Sequence, residues 1–195
     1  MIRVSDTPFY KLLKTGQTTQ YGGYNDDGLY EMGVAKGYDV LTTGVYSGHT
    51  HIIMNAKNEP HDNACVYDRR TQLMWSRYLP VVVGPAADGK MPWTTNGAGE
   101  GIFAYCGLAN AASLAGYTDW RVANIFEILS LPDLEVPDAL PNAVAFPFVI
   151  SGDYYWGSTT KADDVTKAMI IRFHFGYIDA FVKTLAYFLF LVRGG

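Results

Sequence analysis

The sequence predicts an α+β fold in which two helices pack on mainly antiparallel sheets. Three observations predict it. Short runs rich in Val, Ile, Thr, Tyr and Phe, bounded by Gly, Asn and Asp, occupy both ends of the chain. Helical spacing occurs only in the middle, in two stretches that each end at a breaker. The apolar supply, 49% hydrophobic with 14% aromatic in 195 residues, is ample for a buried core. Strands, then helices, then strands is the order of an α+β layout.

The first strands lie among turn signals. Gly22-Gly23, Asn25-Asp26-Asp27-Gly28 and Tyr46-Ser47-Gly48 are turn chemistry, and the runs at 38–43 and 50–54 read as strands between them. Residues 1–60 are therefore expected to form a β-rich N-terminal extension or insert, ahead of a domain at 61–195. Within that domain, 64–68 and 72–76 flank the polar Arg69-Arg70-Thr71 and predict a hairpin. Residues 80–101 hold Pro80, Pro85, Pro92 and several glycines and predict a loop, with Trp93 as its pin.

Phe103, Cys106, Leu108-Ala109 and Ala112 approximate a 3.6-residue stripe and predict a helix over 102–114, stopped by Gly116. Asn124 predicts the cap of a second helix over 125–131, with Glu127 placed to answer the cap and Pro132 to close it. Pro137, Pro141 and Pro147 make 134–148 a loop. Four strands are expected to follow, at 154–159, 168–175, 177–183 and 186–193.

Charge and cysteines exclude several functions. The net charge of −4 comes with no basic run, so nucleic acid and anionic membranes are poor candidate partners, and neither nucleic-acid binding nor membrane insertion is expected. The opening Met1-Ile2-Arg3-Val4-Ser5-Asp6 lacks the apolar core of a signal peptide. The longest apolar run, 185–192, falls far short of the ~20 residues that span a bilayer. The expectation is a soluble protein made without Sec export. Cys65 and Cys106 are too few for a disulfide framework or a zinc site, and are expected as free buried thiols.

Catalytic chemistry has no motif here. There is no Gly-rich phosphate loop, nucleophile elbow or zincin helix, so no enzyme is expected and no catalytic residue is assigned. His49 and His51 share a strand face near His61 and Asp62, but exposed polar residues explain them better than a metal. Asn25-Asp26-Asp27-Gly28 and Asp163-Asp164 could offer oxygens to calcium, without the regular acidic spacing of an EF-hand loop. The expectation is no cofactor, with calcium as the lesser alternative. Asp119-Trp120-Arg121 is expected to be structural, with the Arg paired to a helix carboxylate such as Glu127.

The tail differs in kind. By alternation Ile170, Arg172 and His174 face one way, and the apolar Ile171, Phe173 and Phe175 the other. Tyr177, Asp179 and Phe181 share the next parity, and Tyr187, Phe188 and Phe190 follow. Two buried strands are one reading. Yet Arg172, His174 and Asp179 would be costly in a core without partners, and a face mixing aromatics with a few charges suits recognition.

Longer motifs carry a family resemblance. Cys65-Val66-Tyr67-Asp68-Arg69-Arg70-Thr71-Gln72-Leu73-Met74-Trp75 resembles the V-x-D-x-x-T-x-L-M-W opening of the Legionella collagen-like protein C-terminal domain family. Tyr105-Cys106, the run from Leu114-Ala115-Gly116-Tyr117 through Thr118-Asp119-Trp120-Arg121-Val122, and Glu127-Ile128-Leu129-Ser130 are similar to its middle. Tyr155-Trp156-Gly157-Ser158-Thr159-Thr160 and Leu191-Val192-Arg193-Gly194-Gly195 resemble its end. The resemblance covers 65–195 and leaves residues 1–60 outside it. It implies a C-type-lectin-like fold of the formylglycine-generating-enzyme type, with Trp75, Asp119, Trp120, Arg121, Trp156 and Arg193 as scaffold.

Relatives of this kind include adhesins, phage proteins and the variable proteins of diversity-generating retroelements. In variable proteins the C-terminal stretch is rewritten at template adenines, and Asn codons become codons that never encode Met, Trp, Gln, Lys or Glu. The resemblance puts framework positions at Ala168, Ile171, Phe173, Gly176, Ile178 and Lys183, with Ile where the family has Val at two of them. The positions taken as variable are Ile170, Arg172, His174, Phe175, Tyr177, Asp179, Ala180, Phe181, Val182, Thr184, Leu185, Ala186, Tyr187 and Phe190, and none of these is an excluded type. At average usage such an absence has a chance of about 4%. Phe190 stands where the family often has Arg.

The implied function is ligand binding by a surface within about 168–190. It comprises Ile170, Arg172, His174, Phe175, Tyr177, Asp179, Ala180, Phe181, Thr184, Leu185, Tyr187 and Phe190. The partner is a cell-surface or other macromolecular ligand, protein rather than sulfated glycan, and the protein is virion-associated or exported by a route other than Sec. A fixed adhesin or phage tail-fibre domain, binding a cell-surface protein or glycan, is the alternative. A formylglycine-generating-type oxidase is the remote one, and it would need a copper-binding cysteine pair.

Overall fold

The computed structural model describes residues 14, 15, 17–19, 37–41, 45–46, 49–50, 53–54, 60–61, 65–77, 89–93, 101–139, 141–143, 145–147 and 149–194. The early strands are β1 (Tyr38–Leu41), β2 (Val45–Tyr46), β3 (His49–Thr50), β4 (Ile53–Met54) and β5 (Pro60–His61). The hairpin β6 (Cys65–Asp68) and β7 (Leu73–Ser76) follows, then β8 (Met91–Pro92). A helix spans Ile102–Ala111, β9 is Arg121–Val122, and a short helix spans Ile125–Ile128. The closing strands are β10 (Tyr154–Thr160), β11 (Lys167–Arg172), β12 (Tyr177–Val182), β13 (Ala186–Leu189) and β14 (Leu191–Gly194).

Among the described residues the fold is mixed, mostly strands, with two α-helices and two five-stranded sheets. One sheet runs β1-β6-β7-β14-β9 and the other β12-β11-β10-β13-β8. All pairs are antiparallel except β10 with β13. Thus β1, from the stretch read as an extension, is an edge strand of the first sheet. β2 pairs with β3 and β4 with β5 as separate small ladders.

Local chemistry explains the elements. The hairpin turns where Gln72 takes a φ of 59° and its N–H donates to Asp68 O at 2.8 Å. The long helix ends at Ala111, earlier than expected, because Ser113 and Ala115 adopt positive φ and the chain leaves through a 3-10 turn. The second helix is also shorter than expected, but its cap is as read. Glu127 N donates to Asn124 Oδ1 at 2.9 Å, and Asn124 N donates to Glu127 Oε2 at 2.7 Å. Gly157 is needed where this helix crosses β10, since a Cβ there would lie 3.1 Å from the Ile125 nitrogen.

Two expected strands change shape. The one read as 168–175 stops at Arg172, and Phe173 to Gly176 form the hairpin turn to β12. The one read as 186–193 is split at Phe190. β13 belongs to the second sheet and β14 to the first, so the chain changes sheets at that residue.

Alternating strand residues feed two halves of the core. Trp156, Ile170, Leu189 and Leu191 pack with Met74, Ile102, Cys106 and Trp120. Tyr155, Ile171, Phe188 and Val192 pack with Trp75, Ile125, Ile128, Phe146, Phe173 and Phe190. The second sheet is therefore covered on both faces along its centre, which is why its strands read as nearly continuous apolar runs.

That cover corrects two expected ligand contacts. Ile170 is 0% exposed and Phe190 3% exposed. Alternation tells which residues share a face, not whether the face is covered, and β11 is a central strand with rings closing over it. Phe190 turns inward at the sheet crossing. Its ring stacks on Tyr155 at 5.2 Å and 16°, and meets Trp75, Phe146 and Phe173 edge-on at 6.0, 5.8 and 6.3 Å.

The scaffold residues form a frame around these halves. Trp120 is buried, its Nε1 donates to Leu114 O at 2.7 Å, and Asn110 pairs with its backbone on both sides at 2.8 Å. Trp156 Nε1 donates to Met91 O at 3.1 Å. Arg121 forks onto Glu127 at 2.8 and 2.5 Å and also donates to Gly194 O. Arg193 forks onto Asp119 at 2.6 and 3.0 Å with its guanidinium 3.6 Å above the Tyr117 ring. Cys65 and Cys106 are free and buried, as expected.

A buried ion pair ties the hairpin to its neighbours. Arg70 donates to Asp68 at 3.0 and 2.8 Å, to the Tyr38 hydroxyl at 3.2 Å and to Ser130 O at 3.3 Å, while its Nη1 has no partner. Asp68→Ala should strand the guanidinium and cost about 3–5 kcal/mol in urea denaturation. Phe190→Ala should cost about 3–5 kcal/mol by the same measurement, the range for a fully packed core ring. A loss under about 1 kcal/mol would place Phe190 at the surface after all.

Candidate ligand-binding surface

Pairing of β10, β11 and β12 sets one row of side chains. Tyr154 lies opposite Arg172, and Arg172 opposite Tyr177. Ile170 is opposite both Trp156 and Asp179, and Ala168 is opposite Phe181. Strand alternation therefore puts Tyr154, Arg172, Tyr177, Asp179 and Phe181 on one face. Tyr187 joins them from β13, two residues before Leu189, which pairs with Trp156.

The rings on this face touch one another. Tyr154 meets Phe181 at 5.2 Å and Tyr187 at 5.0 Å, and Phe181 meets Tyr187 at 5.8 Å. All three are half-buried and pack against the core half that contains Ile170 and Trp156. Ile170 thus supports the surface from beneath instead of contacting a ligand. At the hairpin tip Phe175 is 67% exposed and stacks on Tyr177 at 6.3 Å. The Arg172 guanidinium lies 5.3 Å from the Tyr154 ring centre and 5.5 Å from that of Phe175. The result is a continuous aromatic stripe from Tyr187 to Phe175 with one cation in it.

The Tyr177 side chain beside Tyr154 raises the Tyr154 pKa above the ordinary phenol value, assisted by desolvation. Burial, with the neighbouring phenols, raises that of Tyr187. Both rings therefore stay neutral at physiological pH. Asp179 is exposed and accepts from the Ala180 N–H at 2.7 Å.

Other expected contacts fall elsewhere. Ala180 faces the reverse side of the hairpin with Ile178 and Val182. His174 sits in the hairpin turn, its Nδ1 2.7 Å from Asp138 Oδ1 and its N–H donating to Ser151 O at 2.9 Å. Thr184 and Leu185 are exposed in the turn from β12 to β13. The candidate surface is therefore narrower than the expected segment, and Tyr154 belongs to it although it lies outside that segment.

A second aromatic contact borders the sheet. Trp93 pins its loop as expected, donating from Nε1 to Gly157 O at 2.8 Å and meeting Phe103 edge-on at 4.8 Å. Lys183 reaches over the Trp93 ring at 3.8 Å and donates to Thr160 Oγ1 at 2.9 Å.

The described residues contain no cluster of three ligating side chains. Asp163 is paired with Lys161 and Asp164 with Lys167. Hydrogen bonds from Thr166 and Lys167 hold the Asp164 carboxyl down at about 2. The Asn25-Asp26-Asp27-Gly28 stretch and the side chains of His49, His51, His61 and Asp62 lie outside the described residues. No described helix is long and apolar enough to cross a membrane.

No curated protein and no solved structure matches the chain. A family model does: the Lcl C-terminal domain, of the Legionella collagen-like protein, matches residues 64–193, from β6 into β14. The motifs at 65–75, 114–122 and 155–160 all fall within that match, and it takes in every residue of the aromatic stripe. The chain therefore belongs to the Lcl C-terminal domain family.

Proposed function

We propose that this protein is a non-catalytic receptor-binding protein of C-type-lectin-like fold, whose C-terminal surface is diversified by a retroelement to recognise cell-surface proteins. Family membership supports a ligand-binding or adhesin-like role. The order of strands, two helices and strands, in two mainly antiparallel sheets, supports the lectin-like reading of the fold.

One observation carries the diversification reading. Along 168–190, exposure follows the division into frame and variable positions. Ala168, Ile171 and Phe173 are fully buried. Gly176 has a φ of 61°, and a Cβ there would lie 3.3 Å from that of Ala139. Lys183 is anchored at both Trp93 and Thr160. Every position between them expected to be variable is exposed or half-buried, except the buried Ile170 and Phe190. A side chain can be exchanged freely only where it does not fill the core. The exposed frame residue Ile178 and the buried Ile170 and Phe190 favour the second reading, a fixed adhesin or tail-fibre domain of the same family.

The chemistry of the stripe suits a protein partner. Tyr and Phe supply rigid contact area with few rotatable bonds. A sulfated glycan or a nucleic acid would want clustered cations, and the stripe holds one Arg. Absence of catalysis is supported by the thiols. Burial pushes Cys65 up to about 12 and raises Cys106 as well, so neither offers the thiolate that an oxidase cysteine pair needs.

DNA flanking the gene should contain a reverse transcriptase and a near-copy of the segment encoding 168–190. Variants of the gene should differ at Arg172, His174, Phe175, Tyr177, Asp179 and Phe181 and keep Ala168, Ile171, Phe173, Gly176 and Lys183. A neighbourhood without either element would leave the fixed adhesin. On an array of cell-surface proteins, Phe175→Ser and Phe181→Ser should abolish binding. Phe175→Ser should move stability by no more than about 0.5 kcal/mol, as at other exposed positions. Binding unchanged by both substitutions would sink the surface assignment.

A further inference from the structure

We infer that Arg172 is the specificity-determining anchor of this surface and that the partner presents it with a peptide carboxylate, an Asp or Glu side chain beside an apolar group. The inference rests on the proposal that the aromatic stripe is the binding surface, and goes further by naming what the stripe reads.

The guanidinium is held in place before any ligand arrives. Arg172 Nε donates to Gly152 O at 3.1 Å, which fixes the plane of the group. Its carbon lies over two rings, Tyr154 and Phe175, and Tyr177 is its cross-strand partner. Those contacts occupy the Nε edge and set the group beside two rings. Among the described residues the two terminal nitrogens have no hydrogen bond and no ion pair. Asp179, on the same face, does not form an ion pair with Arg172, and other acids are engaged elsewhere: Asp163 pairs with Lys161 and Asp164 with Lys167. Asp153 pairs with Lys90, and Asp138 with His174.

A planar fork with its outer edge open is the geometry that takes a carboxylate in two parallel hydrogen bonds. An apolar neighbour of the acid packed on these rings would exclude water and so strengthen the pair. Lys would keep the charge but lose the fork. Phe175, Tyr177 and Tyr154 then offer contact to an apolar neighbour of the acid.

A random-peptide phage library selected on the full chain tests this. Enriched peptides are remade as N-acetylated amides, so that any carboxylate belongs to a side chain. They should carry Asp or Glu next to an apolar residue. Exchanging the acid for its amide should weaken binding about tenfold or more, the range for hydrogen bonds to charged groups. Arg172→Lys should lose a similar factor, and the two losses should not add. Peptides that need the Phe181 and Tyr187 rings but bind equally well as amides would overturn the carboxylate while leaving the surface standing. Peptides that bind regardless of those rings would overturn the surface itself. A library that yields no binder would overturn a peptide carboxylate as the ligand. The acid-to-amide exchange is made on the peptide, so the result does not depend on how a variant folds.

Discussion

The stacked pair Tyr155–Phe190 is the contact on which the two sheets depend. Phe190 is the residue at which the chain leaves one sheet for the other, with its carbonyl accepting from Ala123 N at 3.0 Å. Tyr155 lies in β10, at the centre of the second sheet, and its hydroxyl accepts from Ile150 N at 2.8 Å. Trp75 from the first sheet, Phe146 from the long loop and Phe173 from the hairpin all converge on these two rings. A close-packed ring cluster resists displacement because no neighbour can fill the space that a shift would open. The last five strands are therefore positioned by one aromatic knot, on the opposite face of the second sheet from the surface they present.

This arrangement separates stability from recognition. On β11, Ile171 belongs to the half with the knot, and Ile170 to the half beneath the stripe. Arg172 is the first residue of the strand to reach the edge of that cover, and it is there that the side chains become polar and exposed. The cost of exchanging a residue rises with how much of it is packed, so the same strand offers both fixed and exchangeable positions. Arg193–Asp119 and Arg121–Glu127 close the frame on the far side, where each guanidinium is fixed by a bidentate pair.

Much of this was legible in the residues. The hairpin at 65–76, the capping box at Asn124 and Glu127, the pin at Trp93, the pairing of Arg121 and the free buried thiols all rest on local rules, and local rules were sufficient. What alternation could not reveal was cover. Ile170 and Arg172 have the same parity, yet one is buried in the core half with Trp156 and Ile102 while the other is not, because cover depends on which elements lie alongside. The place of Phe190 is hidden for a related reason: 186–193 has the composition of one strand, and only the partners show that it serves two sheets. Tyr154 escaped notice because its value to the surface comes from the register that sets it opposite Arg172, a non-local fact. Its neighbours Tyr155 and Trp156 are core, and nothing in the run distinguishes the first ring from the next two.

An exposed aromatic stripe carries a hazard, since bare apolar area invites unspecific association. The free protein limits it through its own contacts. Tyr154, Phe181 and Tyr187 lean on one another, Phe175 leans on Tyr177, and the tyrosine hydroxyls keep a polar edge. These contacts reduce the side-chain freedom that a partner would otherwise have to remove on binding. Two neutral phenols with raised pKa values and one oriented cation then make a surface that is wettable, rigid and selective together. Recognition here depends less on the number of rings than on their being held still by a core that they do not themselves fill.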